Sequence, residues 1–229
     1  MGKEILKLQN GSDIRGIAMN GVEGEDVNLT RYSALAIGAA FAHWLGFKVE
    51  KNSFDLKICV GRDPRITGPD LVDALMSGMA YLGVQVSDAG LASTPAMYMS
   101  TVMPFYEFDG AIMVTASHLP FNRNGFKFFT AEGGLNKTDI KEVLEYAASA
   151  HILPFEYNAE SVNLMQMYAA HLRSMISTGV GGDLSNMKIV VDAGNGAGGF
   201  FATNVLAPLG ADISGSQFLD PDGTFPNHQ

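Results

Sequence analysis

At 229 residues, with 47% hydrophobic and 17% charged side chains, the chain can bury a sizeable core and reads as an ordered globular protein. A formal net charge of -9 argues against nucleic acid as the main partner, because phosphate backbones call for a basic surface. Cys59 is the only cysteine, which excludes an internal disulfide and points to a reducing, cytoplasmic compartment.

The opening stretch MGKEILKLQNGSDIRG has neither a signal-peptide core nor transit-peptide character, so no targeting segment is expected there. Met1-Gly2 begins an acylation pattern that the next residues leave incomplete. Residues 29–47 place apolar side chains at helical spacing, and residues 56–60, LKICV, read as a buried strand. Residues 69–83 form a second helix, with Pro69 in its first turn and Gly83 just past its end. A strand at 84–88 and a short helix at 94–105 follow, and the Met-rich part of that helix is expected to be buried. No apolar run approaches the roughly 20 residues that span a bilayer, so no membrane contact is expected. Residues 110–115, GAIMVT, and 125–130 are strands, and 138–150 is a helix. This alternation predicts an α/β fold, a mixed sheet sandwiched by helices.

Around Pro154 the periodicity lapses, and residues 151–160 read as a linker. It joins a first domain, residues 1–153, to an incomplete second α/β domain over residues 160–229. In that second unit we expect helices at 160–177 and 199–210 and strands at 187–192 and 211–219. Oligomeric state is not legible.

Ligands of open α/β sheets bind at the carboxyl ends of strands. Two segments follow strands directly: GRDPR (residues 61–65) and TASHLP (residues 115–120). Alone, GRDPR is an ordinary solvated turn. A third segment, GSDIRG, adds Arg15 between turn glycines, so three loops offer arginine, or serine with histidine, as phosphate recognition requires. A hydrolase elbow is disfavoured, since Thr115 and Leu119 stand where its glycines belong. His118 adjoins Ser117 in sequence, and neighbouring side chains diverge, which argues against a Ser-His base pair. A phosphoryl-carrying Ser117 fits better, with Lys127 as acid/base or charge stabiliser. One rival remains in DAGNGAGG, where Gly194, Gly196 and Gly199 match a dinucleotide fingerprint and Asp220 lies at ribose-binding distance in sequence. Only two strands of that unit are present, so a tight strand-to-helix turn is preferred to an NAD site. His43, His151 and His171 have no partner at ligand spacing.

Taken together, SDIRG, GRDPRITGPDL, the STP at Ser93 to Pro95, TASHLP with NGFK, VDAGNGAGG and PDGTFPNH resemble the α-D-phosphohexomutases. This is the family of phosphomannomutase, phosphoglucomutase and phosphoglucosamine mutase, and the likeness covers nearly the whole chain. The resemblance implies that Ser117 is a phosphoserine whose phosphate oxygen also binds magnesium. It suggests His118 and Lys127 as proton-handling or charge-stabilising neighbours and Arg15 as a phosphate contact. Arg62, Asp63, Arg65, Thr115 and Asn124 would support the loop. The reaction implied interconverts a hexose 1-phosphate and 6-phosphate through a bisphosphorylated sugar, with a glucose 1,6-bisphosphate-type activator. Leu119 departs from the family's usual asparagine, and the metal carboxylate loop, sugar-selecting loop and C-terminal domain do not occur. We therefore expect an N-terminal portion, weak or inactive alone; a non-catalytic sugar-phosphate-binding module is the alternative.

Overall fold

The computed structural model describes residues 2–227, so the Met1 half of the acylation pattern and the His228 end of PDGTFPNH lie outside the described residues. Eight strands make one sheet: β1 (Gln9–Asn10), β2 (Asp13–Ile17), β3 (Lys57–Arg62), β4 (Gln85–Leu91), β5 (Gly110–Val114), β6 (Arg123–Thr130), β7 (Gly133–Gly134) and β8 (Glu160–Ser161). Their order is β1-β2-β6-β5-β3-β4-β8, with β7 beside β6. Strands β5, β3, β4 and β8 run parallel, while β6 is antiparallel to both β5 and β2. The sheet is therefore mixed, as expected.

Period-two alternation sorts side chains to its two faces. Ile58 and Val60 of β3 and Ile112 and Val114 of β5 enter one core with helices α2 (Arg31–Val49), α3 (Gly68–Tyr81) and α5 (Lys137–Ser149). Their alternates Cys59, Ala111 and Met113 enter a second core with α4 (Thr94–Met99) and α6 (Leu164–Val180). Both faces are covered, which explains why these strands read as continuous apolar runs. A four-residue helix α1 (Gly2–Ile5) opens the described chain.

Several expectations need correction. Helix α2 starts after Thr30, whose side chain and that of Ser33 cap each other's backbone amides. Strand β3 extends through Gly61 and Arg62, so these two residues end a strand and do not begin a turn. Helix α4 stops at Met99, six residues short of expectation, although Met97 and Met103 are both buried. Strands β1 and β2 went unforeseen because a two-residue and a five-residue strand with one buried side chain give no periodic signal.

The expected linker is tied down. Phe155 exchanges hydrogen bonds with Ser77 of α3, Tyr157 donates to Asp73 at 2.9 Å, and Glu160 and Ser161 pair with β4. Farther on, the two expected strands reduce to isolated parallel bridges, Lys188 with Asp212 and Asp192 with Gln217. The expected helix at 199–210 is 3-10 and π turns over 197–209. Few apolar side chains here are buried, so packing does not enforce regular geometry.

Helices α2 and α3 touch backbone to backbone. A Cβ on Gly38 would lie 2.2 Å from the Leu75 carbonyl oxygen, and one on Gly78 would lie 2.0 Å from that of Leu35. No rotamer change relieves a clash with backbone. We expect Gly78→Ala to lose stability on balance, its gain of about 1 kcal/mol in helix propensity being outweighed by about 1–3 kcal/mol or more of overpacking. Urea denaturation followed by circular dichroism measures this, and an unchanged or raised midpoint would contradict the close packing.

Candidate active site

Ser117 stands in the loop after β5, exposed, with φ of 56°, in the left-handed region that a non-glycine residue rarely adopts. Such a conformation costs on the order of 1–3 kcal/mol and persists only where its surroundings fix it. Here they do. The Thr115 hydroxyl accepts from the Ser117 amide at 2.9 Å and donates to Asp63 Oδ2 at 2.6 Å.

Arg65 supplies the rest. Its side chain is 1% exposed and uses every N–H it has. Nε donates to Asp63 at 3.2 Å, one terminal nitrogen to the carbonyls of Pro120 (2.7 Å) and Arg123 (3.0 Å), and the other to those of Ser117 (2.9 Å) and Leu119 (2.8 Å). Burial pushes the Asp63 carboxyl above its ordinary value, opposed by the Thr115 hydroxyl and by the amide and guanidinium of Arg65. The same burial lowers the Arg65 guanidinium, with Asp63 opposing. Asn124 is buried as well, donating to Thr67 at 3.0 Å. The Arg62 side chain donates only to the Asp63 carbonyl, at 3.3 Å, among the described residues.

Positive charge beside Ser117 comes from the antiparallel β2–β6 pair. Ile14 and Phe126 are register partners pointing into the core, so Asp13, Arg15 and Lys127 share the other face. Arg15 reaches the Ser117 hydroxyl at 3.5 Å and the Ala116 carbonyl at 3.5 Å. Asp13 binds it at 2.8 Å and Lys127 at 2.6 Å, joining the two cations. The structure thus brings Arg15 directly to Ser117 and Lys127 to it only through Asp13. His118 is exposed beside Ser117, with no hydrogen bond of its own among the described residues.

Ser117, His118, Leu119 and Phe121 form one wall of a cleft of about 650 Å³. The other wall is Ala193, Gly194 and Gly196 with Thr224, Phe225 and Pro226. The glycine turn that mimics a dinucleotide fingerprint has a packing role of its own: a Cβ at Gly199 would sit 1.9 Å from the Leu219 carbonyl oxygen. Asn195 binds the carbonyl of Asp220, and its own carbonyl accepts from the Asp222 amide.

Two features escaped the sequence reading. Asp13 stands two residues before Arg15, the spacing of one strand face, but the strand itself was not recognised. The 224–226 wall lies 107 positions beyond Ser117 at its nearest, and no local pattern links them. Among the described residues no three His, Cys, Asp or Glu side chains converge as a metal site would need, and no helix is long and apolar enough to cross a membrane.

Asp63→Asn would leave the Arg65 cation buried without its counter-charge. We expect it to cost about 3–5 kcal/mol in urea denaturation. Thr115→Val should cost roughly 1–3 kcal/mol, while Thr115→Ser, which keeps the hydroxyl, should stay near wild type. Equal losses for valine and serine would refute the hydroxyl relay.

The model of the family "Phosphoglucomutase/phosphomannomutase, alpha/beta/alpha domain I" matches residues 6–151. A phosphomannomutase/phosphoglucomutase of Pseudomonas syringae is 32% identical over 195 residues, covering 84% of this chain and 40% of the relative. A phosphoglucosamine mutase of Corynebacterium jeikeium is 33% identical over 219 residues, covering 90% and 45%. The crystal structure of a phosphoglucomutase/phosphomannomutase family protein from Burkholderia thailandensis superimposes with a TM-score of 0.78 at 29% identity, over 99% of this chain and 46% of that one. The chain spans less than half the length of these relatives. With the match to domain I extending over most of its residues, the chain belongs to the phosphoglucomutase/phosphomannomutase family.

Proposed function

We propose that this chain carries the phosphoryl-transfer serine of a phosphohexomutase, with Ser117 passing phosphate to and from a hexose phosphate. The observation that carries this reading is a serine hydroxyl held exposed in a left-handed turn, facing Arg15 and opening on a cleft. Phosphoryl transfer is catalysed mainly by positioning and by charge, and both are present.

In the donating step the bond from phosphorus to Ser117 Oγ breaks while one to a sugar hydroxyl forms. Charge developing on Oγ falls beside the Arg15 guanidinium, with the Lys127 ammonium behind it across Asp13. His118, free of hydrogen bonds among the described residues and lining the cleft, is placed to take the proton of the attacking hydroxyl. In the returning step the bond from the second phosphorus to its sugar oxygen breaks while one to Ser117 Oγ forms, and the sugar oxygen takes the proton back from His118. A glucose 1,6-bisphosphate-type compound would prime Ser117 by the same exchange.

Arg65, which the resemblance implies as a support of the serine loop, has no N–H left to give a phosphate, and this favours the role of brace. Magnesium is implied by the family resemblance. Asp13 and Asp63, the carboxylates beside the loop, are already engaged by Arg15, Lys127, Arg65 and Thr115. The described residues therefore do not compose a magnesium site.

The test is transfer of labelled phosphate from glucose 1,6-bisphosphate in magnesium buffer, located by peptide mass spectrometry. We expect label on Ser117, none in Ser117→Ala, and at least a hundredfold slower labelling in Arg15→Ala, on the order of removing one charge-stabilising donor. Tight bisphosphate binding without label would favour a sugar-phosphate-binding module. Label on another residue, or neither label nor binding, would overturn the proposal.

A further inference from the structure

We infer that Phe225 is a positioning residue for the serine loop, acting through Arg65. All five N–H groups of Arg65 are engaged in the guanidinium plane, so only the faces of that plane remain to be covered. The Arg65 guanidinium carbon lies over the Phe225 ring, 5.0 Å from its centroid. An aromatic face attracts a cation and also excludes water that would compete for the four loop carbonyls.

The approach is built into the backbone on both sides. A Cβ on Gly223 would sit 2.3 Å from the Pro64 carbonyl oxygen and 2.9 Å from the Ile66 amide, so the 222–225 turn rests directly on the turn that carries Arg65. Phe225 itself has φ of 49°. Asn195, from the glycine-rich turn, holds this segment by accepting from the Asn227 side chain and, at its carbonyl, from the Asp222 amide. One wall of the cleft thereby sets the rigidity of the other. A bound phosphosugar spanning the cleft would meet a serine loop whose order depends on residue 225.

The consequence for transfer rests on Ser117 being the phosphoryl carrier, but the test does not. Hydrogen–deuterium exchange reads the amides of Ser117, Leu119 and Arg123, each hydrogen-bonded within the loop. We expect Phe225→Ala and Phe225→Leu to speed their exchange on the order of tenfold, and Phe225→Tyr, which keeps the ring, to match wild type. Amides of β3 and β5 should be unchanged, and the same pattern should persist in a Ser117→Ala background, where no phosphate is carried. Urea midpoints separate local loosening from unfolding, and the leucine variant, which keeps a bulky apolar side chain, serves if the alanine variant fails to fold. Unchanged loop exchange in the leucine variant, or leucine protecting as well as tyrosine, would overturn the inference.

Discussion

The serine loop depends on one buried cation. Turning the chain through the left-handed residue at 117 aims the carbonyls of Ser117, Leu119, Pro120 and Arg123 inward, where each would cost about 1–3 kcal/mol if left without a donor. A planar fork with five donors answers four carbonyls and one carboxylate at once, and no other side chain does. A lysine has three donors on a flexible stem and would leave acceptors stranded. Because Asp63 is fixed in turn by Thr115, and Thr115 by the Ser117 amide, loop and brace close into a single hydrogen-bonded ring. Exposure of Ser117 follows from this: the loop carbonyls turn inward to Arg65, which leaves the Ser117 hydroxyl facing out.

The sheet converts that local constraint into a site. Strand β5 delivers the loop, and β6 carries the chain away antiparallel beside it, so the two ends of the loop cannot drift apart. Strand β2 lies next to β6 and presents Arg15 on the face away from the core. Asp13 is the economical element here. Two cations on adjacent strands would repel each other, and one carboxylate binding both holds them together with a residual positive charge beside Ser117. That charge suits a phosphoryl group, in a protein whose net charge of -9 otherwise repels one.

What was legible in the sequence tracks which interactions are local. The long helices and the strands at the sheet centre came through, because burial on both faces writes apolar runs and helical periodicity into the chain. Ser117 was recognisable as a polar residue after a strand, since strand-end loops are where ligands meet an open sheet, and Lys127 as a strand lysine; Arg15, expected in a loop between glycines, lies inside β2 instead. Arg65 was legible as a charged turn residue, but its state of full satisfaction was not, because four of its partners lie more than 50 positions away. The region beyond residue 180 was misread in the opposite sense. Its apolar pattern suits strands and a helix, yet little of it is buried deeply enough to enforce them, and bridges and irregular turns result.

The glycine-rich turn shows why a pattern alone does not name a ligand. A dinucleotide fingerprint needs its glycines for a tight turn, for close approach of a pyrophosphate and for packing of helix on strand. Two of those demands, the tight turn and the close approach, arise here from the chain's own packing. Gly194 takes φ of 52° after its amide is caught by Asp192, Gly199 lets the Leu219 carbonyl into the space of a side chain, and Asn195 between them ties down the 218–227 segment. Glycine spacing records where backbone must approach something closely, and the something here is the chain itself. Since the segment so held ends in the ring that covers Arg65, the turn's packing role reaches the serine loop from the far side of the cleft. Both walls of the site are thus set by how closely two stretches of backbone, distant in sequence, are allowed to meet.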